Sequence, residues 1–108
     1  MKIQTPWGMA QSETELAEGI ISYSTAGHGG IWLSKARRRE LIERVGKIDN
    51  FLHDMAWWEE DCDWAIPYVV FVEDIQKHGT VYEFEKNLQC AKKIISIGGI
   101  IHPCQEVC

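Results

Sequence analysis

Two short segments of this 108-residue chain carry the side chains best suited to chemistry, and the first surrounds a single histidine. His28 is flanked by Gly27, Gly29 and Gly30. Glycines tolerate positive φ and let backbone N–H groups converge on an anion or a close neighbour. His28 is therefore either an acid, base or ligand on a turn, or a surface histidine in an ordinary hairpin turn.

The second segment is acidic and is bracketed by tryptophans. Residues 57–64 read Trp57-Trp58-Glu59-Glu60-Asp61-Cys62-Asp63-Trp64. Carboxylates at this density supply oxygen ligands for a metal ion, or a general acid or base. In a second interpretation the acids cap a helix while the tryptophans fill the core. In a third, tryptophan anchors ringed by charge form a recognition patch, as in interface hot spots.

Metal and cofactor motifs are sparse elsewhere in the chain. The four cysteines (Cys62, Cys90, Cys104 and Cys108) do not form the two close ligand pairs of a structural zinc site. The chain contains no phosphate-binding loop, dinucleotide fingerprint, nucleophile elbow or His-Glu-x-x-His helix. We therefore expect no cofactor and no bound metal. Without a signal peptide, we also expect free thiols in a reducing cytoplasm, with Cys90 buried.

The charges are segregated along the chain. The net charge of −5 argues against binding nucleic acid mainly through its phosphates. Residues 35–47 hold six basic side chains against two acids, whereas residues 48–75 hold eight acids and neither Lys nor Arg. Arg37, Arg38 and Arg39 thus form a candidate basic patch, and the acidic block could compete for a basic groove on a partner.

The secondary-structure elements predicted to position these segments form a single α+β domain over residues 1–108. The chain is 45% hydrophobic and 25% charged, as in an ordinary globular protein, and has no apolar run long enough to span a membrane. Alternating residues 20–25 and the run 31–33 predict a β-hairpin around His28, with Ile21, Tyr23 and Thr25 sharing one face. Ile31 and Leu33 are expected to face the core.

Two or three helices are expected to pack against this small antiparallel sheet. Ser34 and Gly46 are typical cap residues for a helix over residues 35–45. A second helix runs into residue 71, beginning near residue 65 if Pro67 lies in its first turn, although residues 68–72 also favour a strand. Thr80 is expected to cap a third helix ending near residue 97, with Ala91 and Ile95 on its apolar face. Residues 48–58 are interpreted as a short helix or an ordered loop.

Several of these segments together resemble a family of small proteins carried by bacteriophages, prophages and other mobile elements. The shared order is a Thr5-Pro6-Trp7-Gly8 opening, a His28-Gly29-Gly30 turn and the acidic Glu59-Glu60-Asp61-Cys62-Asp63-Trp64 segment. The resemblance covers roughly residues 5–71, and no established activity comes with it. It implies a small accessory protein in an infected bacterial cell, and it implies that the turn and the acidic segment share one site or one core.

Two classes of function follow. In the favoured one, the protein is non-enzymatic and binds a macromolecular partner in the bacterial cytoplasm, as an inhibitor of a nucleoprotein defence complex such as a CRISPR effector. Its contact residues would be His28 and the acidic segment (Trp57, Trp58, Glu59, Glu60, Asp61 and Asp63). Because five tryptophans exceed what one small core holds comfortably, we expect at least one to be exposed, with Trp57 or Trp58 favoured. In the alternative, the protein is a small enzyme or metal-binding protein that uses His28 with residues 59–63, Glu60 and Asp61 foremost.

Overall fold

The computed structural model describes residues 3–48, 50, 54–60, 63–79 and 84–96. Its elements, in chain order, are β1 (Gln4–Thr5), β2 (Gly8–Met9), β3 (Ser12–Ala17), β4 (Ile20–Ser24), β5 (Gly29–Leu33), α1 (Lys35–Val45), β6 (Trp57–Glu59), α2 (Ala65–Val70), α3 (Val72–His78) and α4 (Phe84–Ser96). Within these residues, no helix has the length and apolar character needed to cross a bilayer. The expected α+β class is confirmed.

A four-stranded antiparallel sheet in the order β3-β4-β5-β6 forms the centre of the fold. Ser22, Ile31 and Trp58 lie opposite one another across β4, β5 and β6, so they share one face. That face is buried against the helices and carries Ile31 and Leu33 into the core, as expected. The helical side of the core comes from Tyr68, Phe71, Ile75, Ala91 and Ile94.

The opposite face of the sheet is aromatic and only half covered. Ile21, Trp32 and Trp57 lie side by side on it. The small β1–β2 hairpin places Trp7 against Trp57, with ring centroids 5.7 Å apart. The expected grouping of Ile21 with Tyr23 is correct for this face, but Ile20 rather than Ile21 is the fully buried isoleucine.

The helix boundaries follow from caps and burial. Ser34 accepts a hydrogen bond from the backbone N–H of Arg37, and Gly46 ends α1 with φ of 87°, as the sequence predicts. Pro67 lies in the first turn of α2, where a backbone N–H has no helical partner to lose. The alternative strand over residues 68–72 is wrong, because burial of Tyr68 and Phe71 outweighs the β-propensity of the valines.

The edge strand β3, whose first four residues are exposed, was not predicted from the sequence. Two local expectations need correction. Of residues 48–58, expected to form a short helix or an ordered loop, residues 54–56 form a turn and residues 57 and 58 begin strand β6, so the helix alternative is wrong for these residues. On α4, Ile95 was expected on the apolar face but is 42% exposed, and Ile94 is buried in its place. Thr80 and the tail beyond residue 96 lie outside the described residues.

Cys90 does not carry the free thiol expected from the sequence. It lies on α4, packs against the core and is disulfide-bonded. Cys62, Cys104 and Cys108 lie outside the described residues. The expectation of free thiols throughout the chain is therefore wrong for Cys90.

Candidate functional site

The turn that holds His28 is closed by Thr25. The backbone N–H and the side-chain hydroxyl of Thr25 both donate to the carbonyl oxygen of His28, each at 2.7 Å. The backbone N–H of His28 donates to the Thr25 hydroxyl at 3.1 Å. The backbone of this turn is thus fixed at both ends, while the His28 side chain remains exposed.

Two of the glycines beside His28, Gly29 and Gly30, serve close approach rather than positive φ. None of Gly27, Gly29 and Gly30 adopts the left-handed conformation that the sequence suggested. Gly30 instead lies under β6 and under Trp7: a Cβ there would clash with the Trp58 carbonyl oxygen and lie 2.6 Å from a Trp7 ring carbon. The glycines therefore allow the acidic strand to pair closely against the histidine turn.

Pairing of β5 with β6 brings the acidic segment to His28. Glu59 lies directly opposite Gly30, and the backbone N–H of Glu60 donates to the Gly29 carbonyl at 2.9 Å. The two glutamates therefore lie beside the end of the turn in space, although about thirty residues separate them from it in sequence. This contact is the juxtaposition on which an enzyme or metal interpretation depends.

A polar turn before β6, which sequence reasoning overlooked, fixes the position of that strand. Asn50 is buried; its side-chain amide donates to the Trp57 carbonyl at 2.8 Å, and its side-chain oxygen accepts from the Met55 N–H at 2.9 Å. The Asp54 carboxylate accepts from the backbone N–H groups of Ala56 and Trp57. Asp54 followed by Met55 at φ 57° is a turn that the sequence could have signalled, because Asp commonly caps such turns.

One ligand atom from each of His28, Glu59 and Glu60 lies within 4.8 Å of the others. Among the described residues, this is the one group of three His, Cys, Asp or Glu side chains close enough to hold a metal ion. His28 and Glu60 are exposed and Glu59 is half-buried. A metal ion bound at 2.0–2.2 Å keeps its ligand atoms within about 4.4 Å of one another, so side-chain rotations that bring these atoms closer together would complete the site.

Glu60 also lines a cleft between the sheet and the helices. The cleft has a volume of about 290 Å³. Its lining residues are Leu16, Ser22, Tyr23, Ser24, Gly30, Ile31, Glu60, Trp64, Tyr68 and Asn87. The cleft thus begins at the carboxylate cluster and extends toward α2 and α4.

Tyr68 and Asn87 are polar residues of this cleft that sequence reasoning missed. The Tyr68 side chain is buried, and its hydroxyl lacks a hydrogen-bond partner among the described residues. Burial raises the pKa of Tyr68, and the Asn87 amide, which is positioned to hydrogen-bond to the phenolic oxygen, lowers it. Tyr68 belongs to a β-forming apolar run, so its sequence context indicated only a core residue.

Two of the expected contact residues are core residues instead. Trp58 is fully buried, with its indole N–H donating to the Met55 carbonyl at 2.8 Å, and Asp63 is 2% exposed. Neither side chain can reach a partner from this position. Asp61 lies outside the described residues. Of the expected acidic surface, Glu59 and Glu60 therefore remain, together with His28.

The tryptophans are more enclosed than expected. None of the five is exposed: Trp7, Trp32, Trp57 and Trp64 are half-buried and Trp58 is fully buried. Trp57 lies between Trp7 and Tyr23, with ring centroids 5.7 and 5.6 Å away. The expectation of an exposed tryptophan is wrong, because the aromatic rings of the half-covered sheet face shield one another.

The candidate basic patch is largely engaged within the fold. The Arg37 guanidinium donates to the Glu18 carbonyl, Glu40 and Asp74 at 2.8–2.9 Å and lies 5.1 Å from the centre of the Phe71 ring. Arg38 donates to the Leu33 carbonyl. Arg39 is exposed. Arg37 therefore joins the β3–β4 turn, α1 and α3, and Arg39 is the member of the trio most open to solvent.

Comparison with known proteins identifies a domain family. Residues 1–96 match the family model of a domain of unknown function, DUF7007. Neither the curated proteins nor the solved structures contain a match to this chain. The matched region includes the histidine turn, the acidic strand and all the residues that line the cleft.

Proposed function

The chain belongs to the DUF7007 family, a domain of unknown function, and from the geometry of its site we propose that it binds a divalent metal ion through His28, Glu59 and Glu60. The observation that carries this proposal is the mutual distance of at most 4.8 Å between ligand atoms from two distant segments. It departs from the sequence-based expectation of no metal and develops the alternative that used His28 with the acidic segment.

The ligand set favours a transition metal. One imidazole nitrogen with two carboxylate oxygens suits Zn²⁺, Mn²⁺ or Fe²⁺, whereas Ca²⁺ and Mg²⁺ prefer oxygen ligands alone. Three protein ligands also leave coordination positions open. A metal ion held this way could act as a Lewis acid or lower the pKa of a bound water, the chemistry of a small metal-dependent enzyme.

A titration of the metal-free protein tests this proposal. We expect Zn²⁺ or Mn²⁺ to bind with a stoichiometry of one in isothermal titration calorimetry. His28→Ala, Glu59→Gln and Glu60→Gln should each weaken binding at least about tenfold, as loss of one ligand or its support does. Undiminished affinity in all three variants, or no saturable binding by the wild type, would contradict the proposal.

The chain supplies a matched control for that titration. His78 and Glu15 form another histidine–carboxylate pair, with the ring nitrogen 3.1 Å from the carboxylate. This pair is not part of a three-ligand group among the residues that the structure describes. His78→Ala should therefore leave the metal affinity unchanged, and a loss equal to that of His28→Ala would show that the site lies elsewhere.

A second candidate function is binding of a macromolecular partner in the bacterial cytoplasm. The half-buried Trp57, packed on Trp7 and Tyr23, lies beside Glu59 on the open sheet face. An aromatic surface next to carboxylates suits a partner with basic side chains. The resemblance to phage and mobile-element proteins supports a host defence complex, such as a CRISPR effector, as that partner. The Cys90 disulfide weighs against a reducing compartment.

An infection assay tests this second candidate. Expressed in a host with an active CRISPR system, the wild-type protein should restore plaque formation by a targeted phage. Glu59→Lys combined with Glu60→Lys should abolish the effect, whereas Glu73→Lys, an exposed acid on α3, should not. No restoration by the wild type would remove that defence complex as the target.

A further inference from the structure

The cleft beside Glu60 is open to solvent and has the size of a site for one small group. Its volume of about 290 Å³ lies at the lower end of the range for ligand pockets. One wall is the sheet, through Ser22 and Ile31, and the other comes from Trp64, Tyr68 and Asn87. Such a space holds a side chain or a small molecule and not a folded segment.

The buried Tyr68 hydroxyl indicates that a polar group belongs in this cleft. Tyr68 is 3% exposed, and its hydroxyl makes no hydrogen bond within the described part of the chain. Leaving a buried hydroxyl unpaired costs about 1–3 kcal/mol, so such groups almost always have a partner. Asn87 lies beside it, and its amide oxygen can accept the Tyr68 O–H. A ligand N–H donated to the Tyr68 oxygen would then complete the hydrogen bonding of this hydroxyl.

The charge of the lining residues determines whether the cleft favours a positively or a negatively charged ligand. Among the described residues that line the cleft, Glu60 is the only charged one. The rings of Trp64 and Tyr68 form an edge-to-face pair with centroids 5.4 Å apart. A carboxylate together with aromatic rings attracts a cation by both Coulomb and cation–π interactions. An anion would meet no positive side chain in this lining.

We propose that this cleft binds a single organic cation, an alkylammonium or guanidinium group. The Glu60 carboxylate is its counter-charge, and Tyr68 and Asn87 accept its N–H groups. The group belongs either to a free amine or to a Lys or Arg side chain of a polypeptide. Because Glu60 is also one of the three proposed metal ligands, a divalent ion and the organic cation compete for it. This competition rests on the metal proposal, whereas the binding of the organic cation does not.

Titration of the metal-free protein with agmatine, followed by ¹⁵N NMR chemical shifts, tests the proposal. We expect saturable shifts at Asn87 and in β4. N-acetyl-citrulline methylamide, which lacks the charge of N-acetyl-arginine methylamide, should bind at least about tenfold more weakly than the arginine compound, the loss expected for a charge-assisted pair. Equal affinities for the charged and uncharged compounds would overturn the proposal.

Variants separate this proposal from the metal proposal. Glu60→Gln should weaken agmatine binding about tenfold, and Tyr68→Phe severalfold, because each removes one polar contact. Glu59→Gln, which does not line the cleft, should leave agmatine affinity within about twofold while weakening metal binding. Agmatine binding that is unaffected by Glu60→Gln would refute the cleft proposal, whatever the metal titration shows.

A titration with a peptide distinguishes the two sources of the cation. An arginine-containing pentapeptide that binds at least about tenfold more tightly than agmatine supports a polypeptide side chain as the ligand. Comparable affinities support a free amine. Saturating Zn²⁺ should weaken the binding of either ligand to the wild type, and this competition should diminish in Glu59→Gln at the same Zn²⁺ concentration.

Discussion

Replacing Gly30 by alanine is expected to destabilise the fold and disturb the proposed metal site together. The added Cβ meets a backbone oxygen of Trp58, which no rotamer change can move, and lies 2.6 Å from a ring carbon of Trp7. Overpacking of this kind costs about 1–3 kcal/mol, and the backbone clash places Gly30→Ala near the upper end, about 2–3 kcal/mol. The strain acts on the β5–β6 pairing, where Gly30 lies opposite Glu59.

Gly27→Ala in the same turn is the matched control. A Cβ at Gly27 meets nothing within 4 Å, and its φ lies outside the left-handed region. Restricting the unfolded chain should therefore stabilise this variant by up to about 1 kcal/mol.

Urea unfolding followed by tryptophan fluorescence measures both variants. We expect the midpoint of Gly30→Ala to fall by about 1–2 M and that of Gly27→Ala to stay or rise. The folded Gly30→Ala protein should also bind Zn²⁺ more weakly than the wild type. Equal stability of the two variants would refute the close approach of β6 to β5 on which the site depends.

Three further expectations concern the helices and the cleft. Ser34→Ala should lower the free energy of unfolding by about 1 kcal/mol in urea titrations, because Ser34 caps α1, whereas Ser34→Asp should restore it. Arg37→Ala should cost about 1–2 kcal/mol in the same assay, because it removes three hydrogen bonds and the contact with Phe71, and Arg39→Ala should cost less than about 0.5 kcal/mol. Burial raises the pKa of the Tyr68 hydroxyl above its ordinary 10.0, so the unfolded chain loses the hydroxyl proton at a lower pH than the folded protein does. Tyr68 therefore contributes stability that is lost as the pH rises above about 10. Tyr68→Phe should lose less stability than the wild type between about pH 8 and pH 11, and an equal loss would contradict the burial of that hydroxyl.

Local signals in the sequence predicted those parts of the fold that local physics determines. Ser34 and Gly46 bound α1 as expected, since a side-chain cap and a glycine at positive φ act within one turn of chain. The His28 hairpin follows in the same way from alternating residues around a glycine-rich turn. The α+β class then follows from combining a hairpin with amphipathic helices.

Long-range pairing explains what sequence reasoning missed. Strand β6 has only three residues, and its place beside β5 depends on the Asn50 and Asp54 turn rather than on a pattern of its own. The sequence does not distinguish which of Ile20 and Ile21 faces the core, because the two are equally apolar and the packing of the helices decides it. The cleft was invisible because Ser22, Tyr68 and Asn87 belong to three separate elements.

Trp58 illustrates the limit of reading a site from composition. A tryptophan next to two glutamates resembles an interface anchor, yet Trp58 alternates inward on β6 while Glu59 alternates outward. The same alternation that removes Trp58 from the surface brings Glu59 toward His28. The expected shared site therefore contains fewer residues than the sequence indicated, and His28, Glu59 and Glu60 are the ones that meet.

The central claim is that His28, Glu59 and Glu60 hold one divalent ion, and an anomalous difference map from crystals soaked in Zn²⁺ tests it most directly. The account predicts one strong peak about 2.0–2.2 Å from a ring nitrogen of His28 and from a carboxylate oxygen of each glutamate. The peak should be absent in crystals of Glu59→Gln soaked in the same way. A wild-type map with no peak at this cluster, or with its strongest peak at His78 and Glu15, would contradict the account.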